Sequence, residues 1–235
     1  MKRRGVAPAL STVILVGATI AIAIAAYQYV ASSLAISQAR VNFEDAKKAF
    51  EEMARWLNTF AFTKGASQTV PISLAHGILE RKWHIIDISG LGEKPFSYEL
   101  RFYAEVQGYK EVIYGDKENL LLDPSEIGPL TIVYVSQDAD GRWFVALNTS
   151  RVKIVDQGII GGYHIYSIWV ITIDEIEFSG SGTTFNIKLL ISNIERQSYY
   201  NLTQISLGNE VYNAFEEPNI VTYVRSHVKI FVSSP

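Results

Sequence analysis

The feature that most constrains this chain is the apolar segment of 31 residues from position 6 to position 36, which has no charged side chain and is followed by the first charge at Arg40. A helix needs roughly 20 apolar residues to cross the hydrocarbon core of a bilayer, so the run is long enough to span one. A helix that is apolar on every side over such a length is unusual within a soluble domain. The run therefore predicts contact with a membrane or with other apolar helices.

Three basic residues, at positions 2–4, come directly before this run. The positive-inside rule predicts that the N-terminus lies in the cytoplasm and that the chain beyond the run lies outside. Three alternatives remain open from these residues alone. The run is a secretory signal cut within 23–26, an uncleaved single-pass anchor, or a helix that is retained after cleavage behind Gly5.

The helical pattern continues past the uncharged run. Apolar residues recur at spacings of three and four, which is the period of a helix with one apolar face. We call this face the helix seam, and it consists of Ile36, Ala39, Phe43, Ala46, Phe50, Met53, Leu57 and Phe60. The opposite face is charged and includes Glu44 with Lys48 and Glu51 with Arg55 at i,i+4 spacing.

These observations predict that the segment 6–64, apolar over 6–36 and amphipathic over 37–64, forms one helix from about Pro8 to about Lys64. Gly65 supplies the stop, because glycine readily takes the left-handed conformation that follows a helix. At 1.5 Å per residue such a helix is about 85 Å long. The helix seam needs an apolar surface to cover it, and we expect a sheet face in the rest of the chain to provide one.

The leader Lys-Arg-Arg-Gly at 2–5, followed by Val6, Ala7, Pro8 and an apolar helix, resembles the class III signal peptide of archaeal type IV pilin-like proteins. The resemblance covers about the first 60 residues. The fifth residue after Gly5 is Leu10, where bacterial members have Glu and archaeal members commonly do not. The resemblance implies cleavage between Gly5 and Val6. It is compatible with a minor pilin or a pseudopilin.

The resemblance also implies a division of the chain into a cytoplasmic leader (1–5), a membrane and filament-core helix (6–36), an amphipathic helix (37–64) and an extracytoplasmic β domain (65–235). Its implied partners are identical or related pilin subunits, membrane lipid, a prepilin peptidase, an assembly ATPase and a platform protein. The implied location is the cell membrane, with the N-terminus inside, and then a surface filament. The residues of the implied membrane and filament helix are Pro8, Leu10, Val13, Leu15, Ile20 and Ile24.

Beyond Gly65 the apolar period changes from 3.6 to 2, which is typical of strands. The run 98–106 alternates and predicts a half-buried strand. Further strands are predicted at 83–88, 109–114, 130–136, 142–148, 151–156, 163–174, 184–192 and 221–232. Glycine-rich turns separate them, so the fold class is α+β: a long N-terminal helix, apolar then amphipathic, followed by an antiparallel β-sandwich-like head.

The composition and the motifs of the chain argue against several classes of function. The chain has no cysteine, which excludes disulfides and thiol chemistry. Without the leader it carries 18 basic against 24 acidic residues, so no nucleic-acid partner is expected. No catalytic motif is visible and no cofactor is predicted, which disfavours an enzyme. The alternative function is a single-pass, membrane-anchored β-sandwich module of the cell envelope that is associated with an archaellum or binds a solute or partner.

Two weak site signals remain. Asp138 and Asp140, followed by Gly141, resemble the start of a calcium loop, but the later ligands are missing and the same residues form an ordinary hairpin turn. The triplets that begin at Asn148 and Asn201 match the acceptor for N-glycosylation, which has meaning only for an exported chain. We therefore predict no metal site and two candidate glycosylation sites.

Overall fold

The structure, a computed structural model, describes residues 6–75, 77–116 and 119–234, so the processing residue Gly5 lies outside the described part. It contains the helix α1 (Val6–Phe60) followed by a body built of short and long β-strands. The strands are β1 (Ser67–Ser73), β2 (Gly77–Ile85), β3 (Ile88–Ser89), β4 (Phe96–Ala104), β5 (Glu111–Tyr114), β6 (Leu121–Leu122), β7 (Ile132–Gln137), β8 (Trp143–Asn148), β9 (Val152–Ile160), β10 (Tyr163–Ser179), β11 (Thr184–Tyr200), β12 (Ile205–Leu207), β13 (Glu210–Tyr212) and β14 (Asn219–Ser233).

Helix α1 has 55 residues, which corresponds to about 83 Å. It ends at Phe60, four residues before the predicted end at Lys64. The chain turns early because the body binds the next two residues: the Ser226 hydroxyl donates to the Ala61 carbonyl, and the Phe62 ring packs 4.8 Å from Trp169. The Gly65 amide, at a φ of 83°, then donates to Ile191 and leads the chain into β1.

The strands form three sheets. A six-stranded sheet has the order β1-β11-β14-β10-β9-β6, a five-stranded sheet has the order β2-β4-β8-β7-β5, and a small sheet has the order β13-β12-β3. The α+β class with one long N-terminal helix and a strand-rich body is therefore confirmed. Purely antiparallel pairing is wrong, because β14 lies between β10 and β11 and runs parallel to β10. The β6 and β9 strands are also parallel.

The long strands β10 and β14 contribute to two separate cores. On β14, the side chains of Val228, Ile230 and Val232 pack with α1 and the five-stranded sheet. Val221 and Tyr223, at odd positions of the same strand, pack with β9, β12 and the loops near the small sheet. Because alternate residues of a strand point to opposite faces, the two cores lie on opposite faces of the six-stranded sheet.

The strand predicted at 98–106 differs from expectation. It is not half-buried: β4 is buried on both faces over 99–104. One face carries Leu100 and Phe102 in the main core, and the other carries Glu99 and Arg101, whose charges neutralise each other beneath aromatic side chains. The strands at 67–73 and 77–82 were not predicted, because Pro71 and the three consecutive charges at 80–82 interrupt the strand pattern.

Candidate functional site

The most unusual surface of the molecule is the N-terminal part of α1. Every residue from 12 to 38 is exposed, and the described body buries none of them. Four of the predicted membrane and filament residues have large exposed fractions, which are 71% for Val13, 69% for Leu15, 55% for Ile20 and 53% for Ile24. Pro8 and Leu10 also lie within this helix. The described helix is long and apolar enough to cross a membrane.

The C-terminal part of the same helix is anchored in the body. Along the helix seam, Phe43, Phe50, Met53 and Leu57 are buried between the six-stranded and five-stranded sheets. Phe60 differs, because it is 43% exposed and packs on Trp56 with ring centroids 5.9 Å apart. The exposed and anchored parts therefore belong to one continuous helix, which changes its surroundings at Ala39.

Polar contacts fix the anchored part at several points. The Lys47 ammonium lies 2.9 Å from Glu44 on the helix and 2.5 Å from Glu111 on β5. Partial burial would lower the pKa of Lys47, but hydrogen bonds to these two carboxylates raise it above its ordinary value. Asn58 accepts a hydrogen bond from the Leu130 amide at 3.0 Å. These contacts hold the helix to the five-stranded sheet at a fixed rotation.

A cleft of about 900 Å³ lies where the helix leaves the body. The sequence did not predict it, because its lining joins one turn of the helix to the ends of three strands that are distant in the chain. The residues that line it include Ile36, Ala39 and Arg40 of the helix, and Ile78, Tyr103, Glu105, Arg142 and Trp143 of the body. Its surface is mainly apolar with a charged rim.

No protein-family model, curated protein or solved structure matches this chain.

A buried polar cluster lies on the outer face of the five-stranded sheet. The Glu99 carboxylate accepts hydrogen bonds from Arg101 at 2.8 Å, from Tyr134 at 2.8 Å and from Asn148 at 3.1 Å. Burial and the Glu99 charge raise the pKa of Tyr134 well above its usual range, so its hydroxyl keeps its proton. Each charged group has a partner, so the cluster acts as a packed structural network.

Next to this cluster, Ser150 and His84 form a pair that resembles a nucleophile and its base. The Ser150 hydroxyl lies 2.9 Å from His84 Nε2 and 2.5 Å from the Asn148 side-chain oxygen. That oxygen can only accept, so the Ser150 hydroxyl donates its single proton to Asn148, and the Ser150 oxygen accepts from His84 in the tautomer that carries the proton on Nε2. Burial, aided by Arg101 and opposed by Glu99, lowers the pKa of His84. The pair is therefore arranged for structure rather than for activation of the serine.

Asp138 and Asp140 lie in the hairpin turn between β7 and β8. The Asp138 carboxylate accepts hydrogen bonds from the amides of Asp140 and Arg142 at 3.0 and 2.8 Å, and from the Arg142 guanidinium at 3.0 Å. Desolvation would raise the pKa of Asp138, but these hydrogen bonds hold it below its ordinary value. Among the described residues no cluster of three or more potential ligands is arranged for a metal ion.

The two candidate glycosylation sites differ in access. The Asn148 amide nitrogen donates to Glu99 within the buried cluster, and its oxygen accepts from Ser150. Asn201 is exposed in the turn after β11, with a φ of 52°. The sequence triplets alone could not distinguish these environments.

We expect a host that exports and N-glycosylates this chain to modify Asn201 and to leave Asn148 unmodified. A glycan on Asn148 would have to be attached to the nitrogen that donates to Glu99 inside the buried cluster, where the side chain is held at both ends. Glycopeptide mass spectrometry measures occupancy at both positions, and Thr203→Ala, which removes the Asn201 acceptor, is the control. Full occupancy of Asn148 with an intact fold would contradict the buried cluster.

Proposed function

We propose that this protein is a structural subunit of a type IV pilus-like surface filament. In this proposal the chain is processed between Gly5 and Val6, resides in the membrane through α1, and then joins a bundle of related helices. The strand-rich body is a β-sandwich-like head that faces outward on the extracytoplasmic side. The head therefore forms the filament surface.

The observation that carries the proposal is the continuity of α1. One helix is exposed and without a charged side chain over 12–38 and is packed into the body from Ala39 onward. A cleavable signal does not need a rigid connection to the mature domain, and a simple anchor does not need its helix inside the domain core. An assembly helix needs both, because it transmits the position of each head to the bundle.

Energetics favour a bundle once the helix leaves lipid. Apolar surface that is moved into water costs about 25 cal/mol per Å². Side chains such as Val13, Leu15 and Ile22, each 69–71% exposed on the isolated chain, therefore need either lipid or other helices around them. Related subunits supply such helices. A prepilin peptidase, an assembly ATPase and a platform protein would be the further partners of this process.

Processing behind Gly5 is testable with a matched pair of glycine variants. We expect Gly5→Val to retain the five-residue leader, because a β-branched residue at the cleavage position obstructs the peptidase, whereas Gly17→Val should be processed normally. A Cβ atom at Gly17 would meet no other part of the protein within 4 Å, so this control introduces no clash with the body. Intact mass measures both outcomes. A mass difference equal to the substitution alone would mean that both chains retain residue 5. That result would contradict processing at this site.

The cleft beside Ala39 favours a second candidate function, a membrane-anchored binding module of the cell envelope. Its apolar lining and charged rim are typical of sites that take small ligands or partner segments. In that case the helix stays in the bilayer as a permanent anchor. Retention of the whole protein in membranes, with the chain absent from every surface fibre, would favour this function over the filament.

A further inference from the structure

The polarity of the side chains changes along the projecting part of α1. Three of the 21 residues in 6–26 have polar side chains, compared with seven of the twelve in 27–38, counting tyrosine. Within the first segment the Thr19 hydroxyl donates to the Leu15 carbonyl at 2.9 Å, which satisfies a polar group without water. We infer that the hydrocarbon boundary lies at Tyr27, so that 6–26 crosses the bilayer core and 27–38 is a stalk outside it.

The lengths support this boundary. The 21 residues of 6–26 rise about 31 Å, which matches a hydrocarbon core of about 30 Å. The longer segment 6–36 would rise about 46 Å and would need a tilt of about 50°, beyond the roughly 0–40° range of membrane helices. A crossing that ends at Tyr27 needs no such tilt.

Tyr27 and Tyr29 mark the boundary itself. They are 75% and 74% exposed, so neither packs against the body. Two positions along a helix correspond to a rotation of about 200°, which places the two rings on opposite sides of α1. Aromatic residues of a helix–helix contact would share one face. A pair on opposite sides fits the headgroup layer, which surrounds a helix and in which tyrosine is enriched.

The stalk holds the body away from the membrane. The first buried residue of α1 is Ala39, at 4% exposure, and the twelve residues of 27–38 rise about 18 Å. A headgroup layer is about 5–8 Å thick, so roughly 10 Å of helix stands in water beneath the body. Stalk side chains are therefore accessible to water-soluble reagents while the protein is in the membrane.

Single-cysteine labelling tests the boundary directly, because the chain has no native cysteine. Ser33→Cys and Ser37→Cys report on the stalk, Ala18→Cys and Ala23→Cys report on the span, and Ser198→Cys on the exposed part of β11 is the reference. Each full-length variant is reconstituted in phosphatidylcholine vesicles and treated with a charged, membrane-impermeant maleimide. Rates are normalised to the reference, which corrects for vesicle orientation.

In intact vesicles we expect the stalk variants to react within about threefold of the reference and the span variants at least about tenfold more slowly, since an apolar environment keeps a thiol protonated. Protection of Ser33→Cys equal to that of Ala18→Cys would overturn the boundary. Fast labelling of Ala18→Cys in vesicles would overturn membrane residence altogether. The inference rests on the membrane stage of the proposed function but needs no filament. A chain that labels as expected yet is absent from fibres would contradict the filament alone.

Discussion

Replacing Phe50 by alanine is expected to lower the free energy of unfolding by about 3–5 kcal/mol, because the ring is removed from a closed core that cannot fully collapse around the cavity. Phe50 is fully buried, between the two larger sheets. The measurement is denaturant unfolding of the full chain in detergent micelles, followed by tryptophan fluorescence. Trp56 and Trp169 report on the surroundings of this core.

Phe60→Ala on the same helix is the matched control. Phe60 is 43% exposed and packs only against Trp56 among the described rings. We expect a loss of about 1 kcal/mol, the scale of one aromatic pair. Equal losses for the two variants would mean that the helix is not anchored through its seam, and a stable Phe50→Ala variant would contradict the packing of α1 into the body.

The second large effect is expected from charges in the projecting helix. The double variant Leu15→Arg/Ile20→Arg should make membrane insertion less favourable by about 6–8 kcal/mol, since each arginine near the centre of a span costs about 2.5–3.5 kcal/mol and an apolar residue is lost with it. Both positions lie in the exposed apolar part of α1. The measurement is the fraction of the chain that stays in the membrane pellet after an alkaline wash.

The control for this variant adds the same charges to the anchored half of the molecule. Val41 and Ile78 are 57% and 59% exposed, so Val41→Arg/Ile78→Arg changes two apolar surface residues of comparable exposure. We expect this control to remain in the pellet as the wild type does. Wild-type retention of Leu15→Arg/Ile20→Arg would contradict a role of the apolar segment in the bilayer.

The sequence predicts well where one local pattern decides the structure. The helix period carries α1 from the apolar run into the body, and alternation locates most of the strands from β4 to β14. The end of α1 depends on a contact that is distant in the sequence. Phe60 is the last helical residue because Ser226, 165 residues away from Ala61, donates to the Ala61 carbonyl. A helix stop set by a distant strand has no sequence signal at the stop itself.

Strand order was beyond prediction for the same reason. Turn residues such as Gly180 and Gly182 indicate that β10 and β11 follow each other closely, but not that β14 is inserted between them. The buried Glu99 and Arg101 were also misread, because alternating charges on a strand usually indicate a solvated face. The aromatic residues Tyr134 and Phe144, which contact Glu99 and Arg101, are the only indication in the sequence that this ion pair is covered. Their contact with it depends on the pairing of three strands, which the sequence does not show.

The most direct test of the filament subunit is mass spectrometry of sheared surface fibres from cells that produce this protein. We expect the fibres to contain peptides of the body together with an N-terminal peptide that begins at Val6. Absence of the chain from all fibres, with intact Met1 in the membrane fraction, would contradict the proposed role as a filament subunit.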